Sequence, residues 1–483
     1  MLNFVTAINI FLVSGSIFFT PDPIIASGML EDTRNIVSDH IIISEILITG
    51  NKITKEHIIL RELTFSKGDT LDTCVISDML IRSRQNLLNT SLFNYVTIDT
   101  VSMSPDKTGI KITVEERWYL WPYLILDHAD RNFSAFIHDK DWNRINYGIY
   151  FIKYNFRGRN ETLKFKLRLG YKEQYAILYD NPNIDKKQKC GLEAGISYYR
   201  QKEIPYTTNN NELVYYKESD RYVRETISSS VSYSYRQKLY DRHNLVIGYL
   251  RSTIADSVAE LNSEYFCNGS RDMNYFSVSY GYIRDMRDSK VYPLKGYCFK
   301  SGIVKYGLGF EKGQSINNFY YVGSFAHHIP VVKRIYFTSG VKARKSFISD
   351  NPYYLNSAMG YSDYLRGYEY YVIDGQDYYI NRNVVKYELL PTKIKRINII
   401  PFSKFNKVHY AIYLNLFFET GYVVDKFASD QDNNELANKF LYSGGMGIDL
   451  VTYYDNVFRI EYSVNGLGES GFFIHYGASL LNF

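Results

Sequence analysis

Four cysteines in 483 residues, at Cys74, Cys190, Cys267 and Cys298, are too few and too widely spaced for a disulfide framework. None stands in a CxxC pair, which removes the usual structural zinc sites. Catalytic signatures are missing as well: the nine histidines form no HExxH, and there is no GxSxG and no phosphate-binding loop. His327 and His328 are neighbours in a β-patterned segment, so they point to opposite faces and do not share a metal. The glycine-rich GLGFEKG at 307–313 reads as a turn and not as a nucleotide cradle. The expectation is therefore no enzyme activity, no cofactor and no metal. A net charge of only +5 gives no argument for a nucleic-acid partner. Beyond residue 26 no run of 18 apolar residues occurs, so the chain cannot cross a membrane with helices there.

What the chain does have is tyrosine: 47 of them, in a sequence that is 45% hydrophobic and 16% aromatic. It also has an atypical start. Residues 1–26, beginning MLNFVTAINIFLVSGSIFFT, are apolar without a Lys or Arg, and small residues suited to cleavage follow in PIIASG. This reads as a secretory signal peptide. The competing reading is an uncleaved membrane helix, for which about 20 apolar residues suffice.

Residues 40–117 read as a small α+β unit in the order β-α-α-β-β. IIISEILITGN is a strand ending in a Gly-Asn turn. ITKEHIILREL is a helix with Thr54 as N-cap and Ile58, Ile59 and Leu63 inward. A longer helix follows, with Val75, Ile76, Met79, Leu80 and Leu87 at helical spacing. FNYVTIDTV and GIKITVEER then alternate as strands, with Ile110, Ile112 and Val114 on one face. The order, together with ITGNKIT, FSKGDTL and LLNTSLFNYVTI, resembles a POTRA (polypeptide-transport-associated) domain. A sheet edge of such a domain can accept an extended segment of another chain by β-augmentation.

From residue 118 to 483 the pattern changes to period two. ETLKFKLRLGY sets Leu163, Phe165, Leu167, Leu169 and Tyr171 against Lys164, Lys166 and Arg168. FRIEYS sets Phe458, Ile460 and Tyr462 against Arg459, Glu461 and Ser463, and AIYLNLFFETG sets Ile412, Leu414, Leu416 and Phe418 against Asn415 and Glu419. Such runs number about sixteen, many close to the length a tilted strand needs to cross a bilayer. Long connections, near 127–144, 200–219, 252–271, 346–378 and 421–440, tend to take turns with short ones at FRGRN, PVVK and TYYD. The segment 391–407 breaks that rhythm, being long and basic on the short side. The fold class expected is mainly β: a 16-stranded antiparallel transmembrane β-barrel behind a small POTRA-like domain. Membrane lipid would then be a partner, and interfacial girdles would explain the tyrosines.

One loop carries a more specific signal. YSDYLRGYEYYVIDG at 361–375 holds a Leu365-Arg366-Gly367-Tyr368 step in the sixth long-side loop, between the eleventh and twelfth strands counted along the chain. On the thirteenth strand stands FFETG, with Phe417, Glu419 and Gly421. These resemble the Val-Arg-Gly-Phe/Tyr loop and the Phe-x-Asp-x-Gly strand of the Omp85 superfamily, with Leu in place of Val and Glu in place of Asp. RDMRDSKVYPLKGY at 284–297 resembles that family's turn into the ninth strand, and GFFIHYGASLLNF its aromatic last strand, with Phe483 as the assembly signal. The resemblance implies that the loop folds into the barrel and that Arg366 meets lumen carboxylates. Alternation places Glu419, and likewise Glu388 and Asp449 on strands twelve and fourteen, on that side.

The same resemblance implies an outer membrane protein of a Gram-negative-type bacterium with its POTRA-like domain in the periplasm. Its expected role is to assist insertion or translocation of unfolded or nascent polypeptides, with accessory assembly proteins as further partners of the POTRA. Two other readings stand beside it: a passive channel or surface antigen, and an accessory docking subunit without transport activity.

Overall fold

The alternation of Ile110, Ile112 and Val114 requires a sheet with one buried face, and the first domain supplies it. The computed structural model describes residues 40–104, 107–128, 145–218, 221–309, 316–347, 352–402, 404–427 and 434–477. The expected signal peptide at 1–26, the terminal Phe483 and most of the glycine-rich turn lie outside the described residues.

β1 (His40–Thr49), β2 (Thr70–Asp72), β3 (Phe93–Ser104) and β4 (Lys107–Glu116) form a sheet in the order β2-β1-β4-β3, with β1 parallel to β4 and the other pairs antiparallel. α1 (Glu56–Leu60) and α2 (Thr73–Leu88) cover one face. Ile58, Ile59, Leu63, Leu87, Phe93, Ile110 and Ile112 share the resulting core. Asp72 caps α2 by accepting from the Cys74 N–H at 2.9 Å. Three details differ from the sequence reading, the first being the short strand β2 between the two helices. Lys55, not Thr54, stands at the cap of α1, because the Thr54 hydroxyl is taken by Glu116 Oε1 at 2.7 Å. Val75 is 45% exposed, so the buried stripe of α2 begins later, at Met79 and Leu80.

Sixteen strands follow in one antiparallel sheet, each paired with its neighbours in sequence apart from two small outlying hairpins. The first is Leu120–His128 and the last Ser470–Tyr476; among the described residues no ladder joins these two. Alternation sorts the side chains into two environments. On the thirteenth strand (Lys407–Val424), Leu416 and Phe418 are 58% and 52% exposed, whereas Asn415 and Glu419 are 1% and 0% exposed. An outward face of this kind is a lipid-facing one. No described helix is long and apolar enough to cross a membrane.

The loop rhythm is present but uneven. The third and fourth strands, Glu161–Gly170 and Lys172–Asn181, meet through a single residue on the long-loop end. The basic segment at 391–407 is strand at its start and again at its last residue: the twelfth strand (Asp377–Arg396) pairs with the thirteenth as far as Arg396 opposite Lys407, which leaves 397–406 as the connection.

The first domain sits against the short-turn end of the barrel through polar contacts. Arg236, closing the sixth strand (Arg224–Arg236), donates to both oxygens of Glu62 at 2.6 and 2.7 Å. Arg117 donates to both oxygens of Asp455 at 2.7 and 2.9 Å, and Ser91 to one of them at 2.8 Å. Arg82 donates to the Tyr240 hydroxyl at 2.9 Å and lies over its ring. Burial alone would raise the Glu62 carboxyl, but the Arg236 fork and the nearby Arg61 charge hold it below its ordinary value. Asp455 is lowered in the same way, with Arg117 and Ser91 outweighing burial.

Candidate functional site

The thirteenth strand turns three residues inward at a spacing of two: Phe417, Glu419 and Gly421. Each meets the sixth long-side loop, which joins the eleventh strand (Ile335–Phe347) to the twelfth. That loop is pinched at its base by a short ladder in which Met359 pairs with Ile373. Between these points Gly367 takes φ +87°, a left-handed conformation that favours glycine, so the chain reverses directly after Arg366.

Arg366 is 1% exposed. Its Nε lies 2.7 Å from Glu419 Oε1, and its own backbone N–H donates to Glu419 Oε2 at 3.1 Å. Its Nη1 donates to Glu461 Oε2 at 3.2 Å, on the fifteenth strand (Asn456–Asn465). The guanidinium lies over the Phe417 ring at 3.6 Å. Leu365 fills the room left by the missing side chain of Gly421: a Cβ there would stand 2.7 Å from Leu365 Cδ1. Tyr368 accepts from the Gly466 N–H at 3.1 Å and packs beside Leu441, Val423 and Ile380. A planar donor fork suits this seat because it can serve two carboxylates and a ring face together.

The other two carboxylates are not at Arg366. Asp449, on the fourteenth strand (Phe440–Thr452), is buried but accepts from Arg459 Nη2 at 2.8 Å, Tyr292 at 2.7 Å and Asn415 at 3.0 Å. Tyr292 belongs to the turn before the ninth strand (Gly296–Tyr306), which thus reaches into the barrel and packs on Ala411, Tyr413 and Val457. Glu388 is only half-buried, opposite Tyr413 and six positions along the twelfth strand from Arg382, the residue that faces Glu419. The strand rise of about 3.3 Å per residue keeps it from the loop.

Four residues of the site were not singled out by the sequence. Glu461 was legible as inward from the alternation in FRIEYS, but nothing in one strand tells which loop residue it meets. Arg382 approaches Glu419 Oε2 at 3.5 Å. Glu369 accepts from the Gly367 N–H at 2.7 Å, and His475 on the last strand stands 3.0 Å from Glu461 Oε1. Glu461, Arg382 and His475 reach the site through the register of their strands, whereas Glu369 sits on the loop itself, two residues from the Gly367 N–H it accepts.

A second feature lies on the first domain. β3 ends the small sheet, and beyond Val96 its outer side carries no strand among the described residues. Val101 and Met103 are 46% and 54% exposed there, while the other end of β3 is occupied, with the Tyr95 hydroxyl donating to the Lys407 carbonyl at 2.9 Å.

Residues 155–454 match the family model described as the Omp85 superfamily domain, and residues 41–117 match the POTRA model described as surface antigen variable number repeat. Among solved structures, the chain is similar to BamA from Haemophilus ducreyi lacking POTRA domains 1-3, with TM-score 0.51 and 13% identity over 91% of this chain and 85% of that one. It is also similar to CdiB from Escherichia coli, with TM-score 0.53 and 10% identity over 90% of this chain and 75% of that one. At such identities the likeness is one of fold. No sequence match to a curated protein was found.

Proposed function

Because the chain belongs to the Omp85 superfamily, we propose that it assists the insertion or translocation of client polypeptides at the outer membrane of a Gram-negative-type bacterium. In this reading the POTRA domain stands in the periplasm and takes an extended client segment along β3 by β-augmentation. The barrel then offers the client a route into or across the membrane. The sixth loop, seated by Arg366 on Glu419 and Glu461, holds the barrel interior in one arrangement while the client is received.

The observation that carries this reading is the outer side of β3 from Thr97 to Met103, along which no strand pairs among the described residues. Unpaired N–H and C=O groups on an edge strand are a template for another strand, and exposed Val101 and Met103 offer apolar contact to its side chains. The neighbouring half of the same strand is held by the barrel turns, which fixes the edge close to the membrane. The passive-channel reading has less support, since buried ion pairs and the Tyr292 turn lie across the barrel interior.

Depletion of the protein followed by quantification of outer membrane proteins tests the proposal. A selective fall in one or more of them is expected; unchanged levels of all of them rule it out.

A further inference from the structure

Glu369 at the tip of the sixth loop, Glu461 on the fifteenth strand and His475 on the sixteenth bring three ligand atoms within 4.8 Å of one another. None of the three was placed together by the sequence, and the client-handling account does not use the point on which they converge.

Each residue turns one ligand atom toward that point. Glu461 Oε2 serves Arg366 at 3.2 Å and Arg459 at 3.7 Å, leaving Oε1 toward His475. Glu369 Oε2 accepts from the Gly367 N–H, leaving Oε1 toward His475 at 3.5 Å. His475 Nδ1 lies 3.3 Å from the Tyr364 hydroxyl, which leaves Nε2 toward both carboxylates. Glu461 and Glu369 are 1% and 2% exposed. Although Glu461 Oε1 and His475 Nε2 stand 3.0 Å apart, neither atom makes a hydrogen bond among the described residues. A ring N–H shared with a carboxylate would align with it. Lone pairs directed at a third body would not.

We propose that Glu369, Glu461 and His475 form a binding site for a divalent transition metal, with zinc the best fit to one imidazole and two carboxylates. Ligand atoms held at zinc bond lengths in a tetrahedron stand about 3.3 Å apart, and the two separations from Nε2, 3.0 and 3.5 Å, bracket that figure. Tyr364 acts as a positioning residue: its hydroxyl takes the Nδ1 proton and so presents Nε2 as the ligand atom. Its ring lies alongside the imidazole, with centroids 6.0 Å apart. The fourth position is left for water. Because Glu369 belongs to the loop and the other two to the last strands of the sheet, the ion would tie the loop to the end of the barrel sheet, independently of the Arg366 seat.

The test uses the full chain in detergent micelles, stripped with a chelator and titrated with zinc chloride. One zinc per chain is expected, with an X-ray absorption spectrum showing one imidazole in a nitrogen and oxygen shell. His475→Ala and Glu369→Gln should each weaken uptake by about tenfold or more, and Tyr364→Phe by about ten- to a hundredfold. Retention of heat-modifiable gel migration shows that each variant is folded. If a variant does not fold, the absorption spectrum of the unsubstituted chain still decides. No zinc uptake at micromolar free zinc, a shell without imidazole, uptake unaffected by His475→Ala, or a nitrogen-15 spectrum of the zinc-exposed chain with both His475 ring nitrogens protonated would each overturn the proposal.

Discussion

Leu365 occupies the space that a side chain on Gly421 would need: the ideal Cβ position at Gly421 falls 2.7 Å from Leu365 Cδ1. The loop and the thirteenth strand are therefore complementary in shape as well as in charge. Glycine at 421 is explained by what sits opposite it and not by backbone freedom.

Gly421→Ala should consequently push the loop off its seat. Overpacking of this kind costs about 1–3 kcal/mol, and the expected result is a lower midpoint of denaturant unfolding in micelles. Leu365→Ala, which deletes the colliding atoms, should recover part of the loss when combined with Gly421→Ala, although alone it is destabilising.

Arg366 and Glu419 should show strong coupling in a double-mutant cycle. Arg366→Ala leaves Glu419 and Glu461 buried without their shared cation, a loss of about 3–5 kcal/mol for a pair of this burial. Glu419→Gln leaves the arginine with Glu461 and should cost less. The double variant should be less destabilised than the sum of the two, by about 0.5–3 kcal/mol. Additive values would show that the two side chains do not act together.

Acid should weaken the attachment of the POTRA domain. The carboxyls of Glu62 and Asp455 are held below their ordinary values of 4.5 and 3.8 by Arg236 and Arg117. A depressed folded-state value means that the contribution is complete above the ordinary value and is lost as pH falls through the depressed one. Hydrogen exchange of residues 82–95 should therefore be constant from neutral pH down to about 5 after correction for intrinsic rates. Below about 4 it should rise in excess of those rates. Glu62→Gln should show part of that rise already at neutral pH.

Much of the architecture was legible because period two is a local property. The inward place of Glu419 and the outward place of Leu416 and Phe418 follow from counting along AIYLNLFFETG. So did the position of the Leu365–Tyr368 step in the sixth loop. What the sequence could not give is register between distant strands. Asp449 is buried on its strand, yet Arg459, directly opposite it in the ladder, takes it from Arg366. Glu388 lies too far down the twelfth strand to meet the loop. Glu461 and His475 reach the site only because the last two strands bring them level with the loop tip. Thr54 has the look of a cap in the sequence because its competing partner, Glu116, is 62 residues away.

The basic hairpin joining the twelfth and thirteenth strands should be more than a spacer. Lys404 donates to the Arg117 carbonyl at 3.1 Å, and Lys407 lies over the Tyr95 ring at 3.6 Å. Lys407→Ala should loosen the docked half of β3, read as faster exchange at Asn94–Val96, with little change in the barrel strands.

The central claim, that the outer side of β3 takes polypeptide clients, is tested most directly by photo-crosslinking in living cells. A photoreactive residue placed at Val101 is expected to trap outer membrane or secreted polypeptides, while the same residue at Tyr95, already held by the barrel, traps none of them. Absence of any polypeptide adduct at Val101, or equal trapping at both positions, would contradict the account.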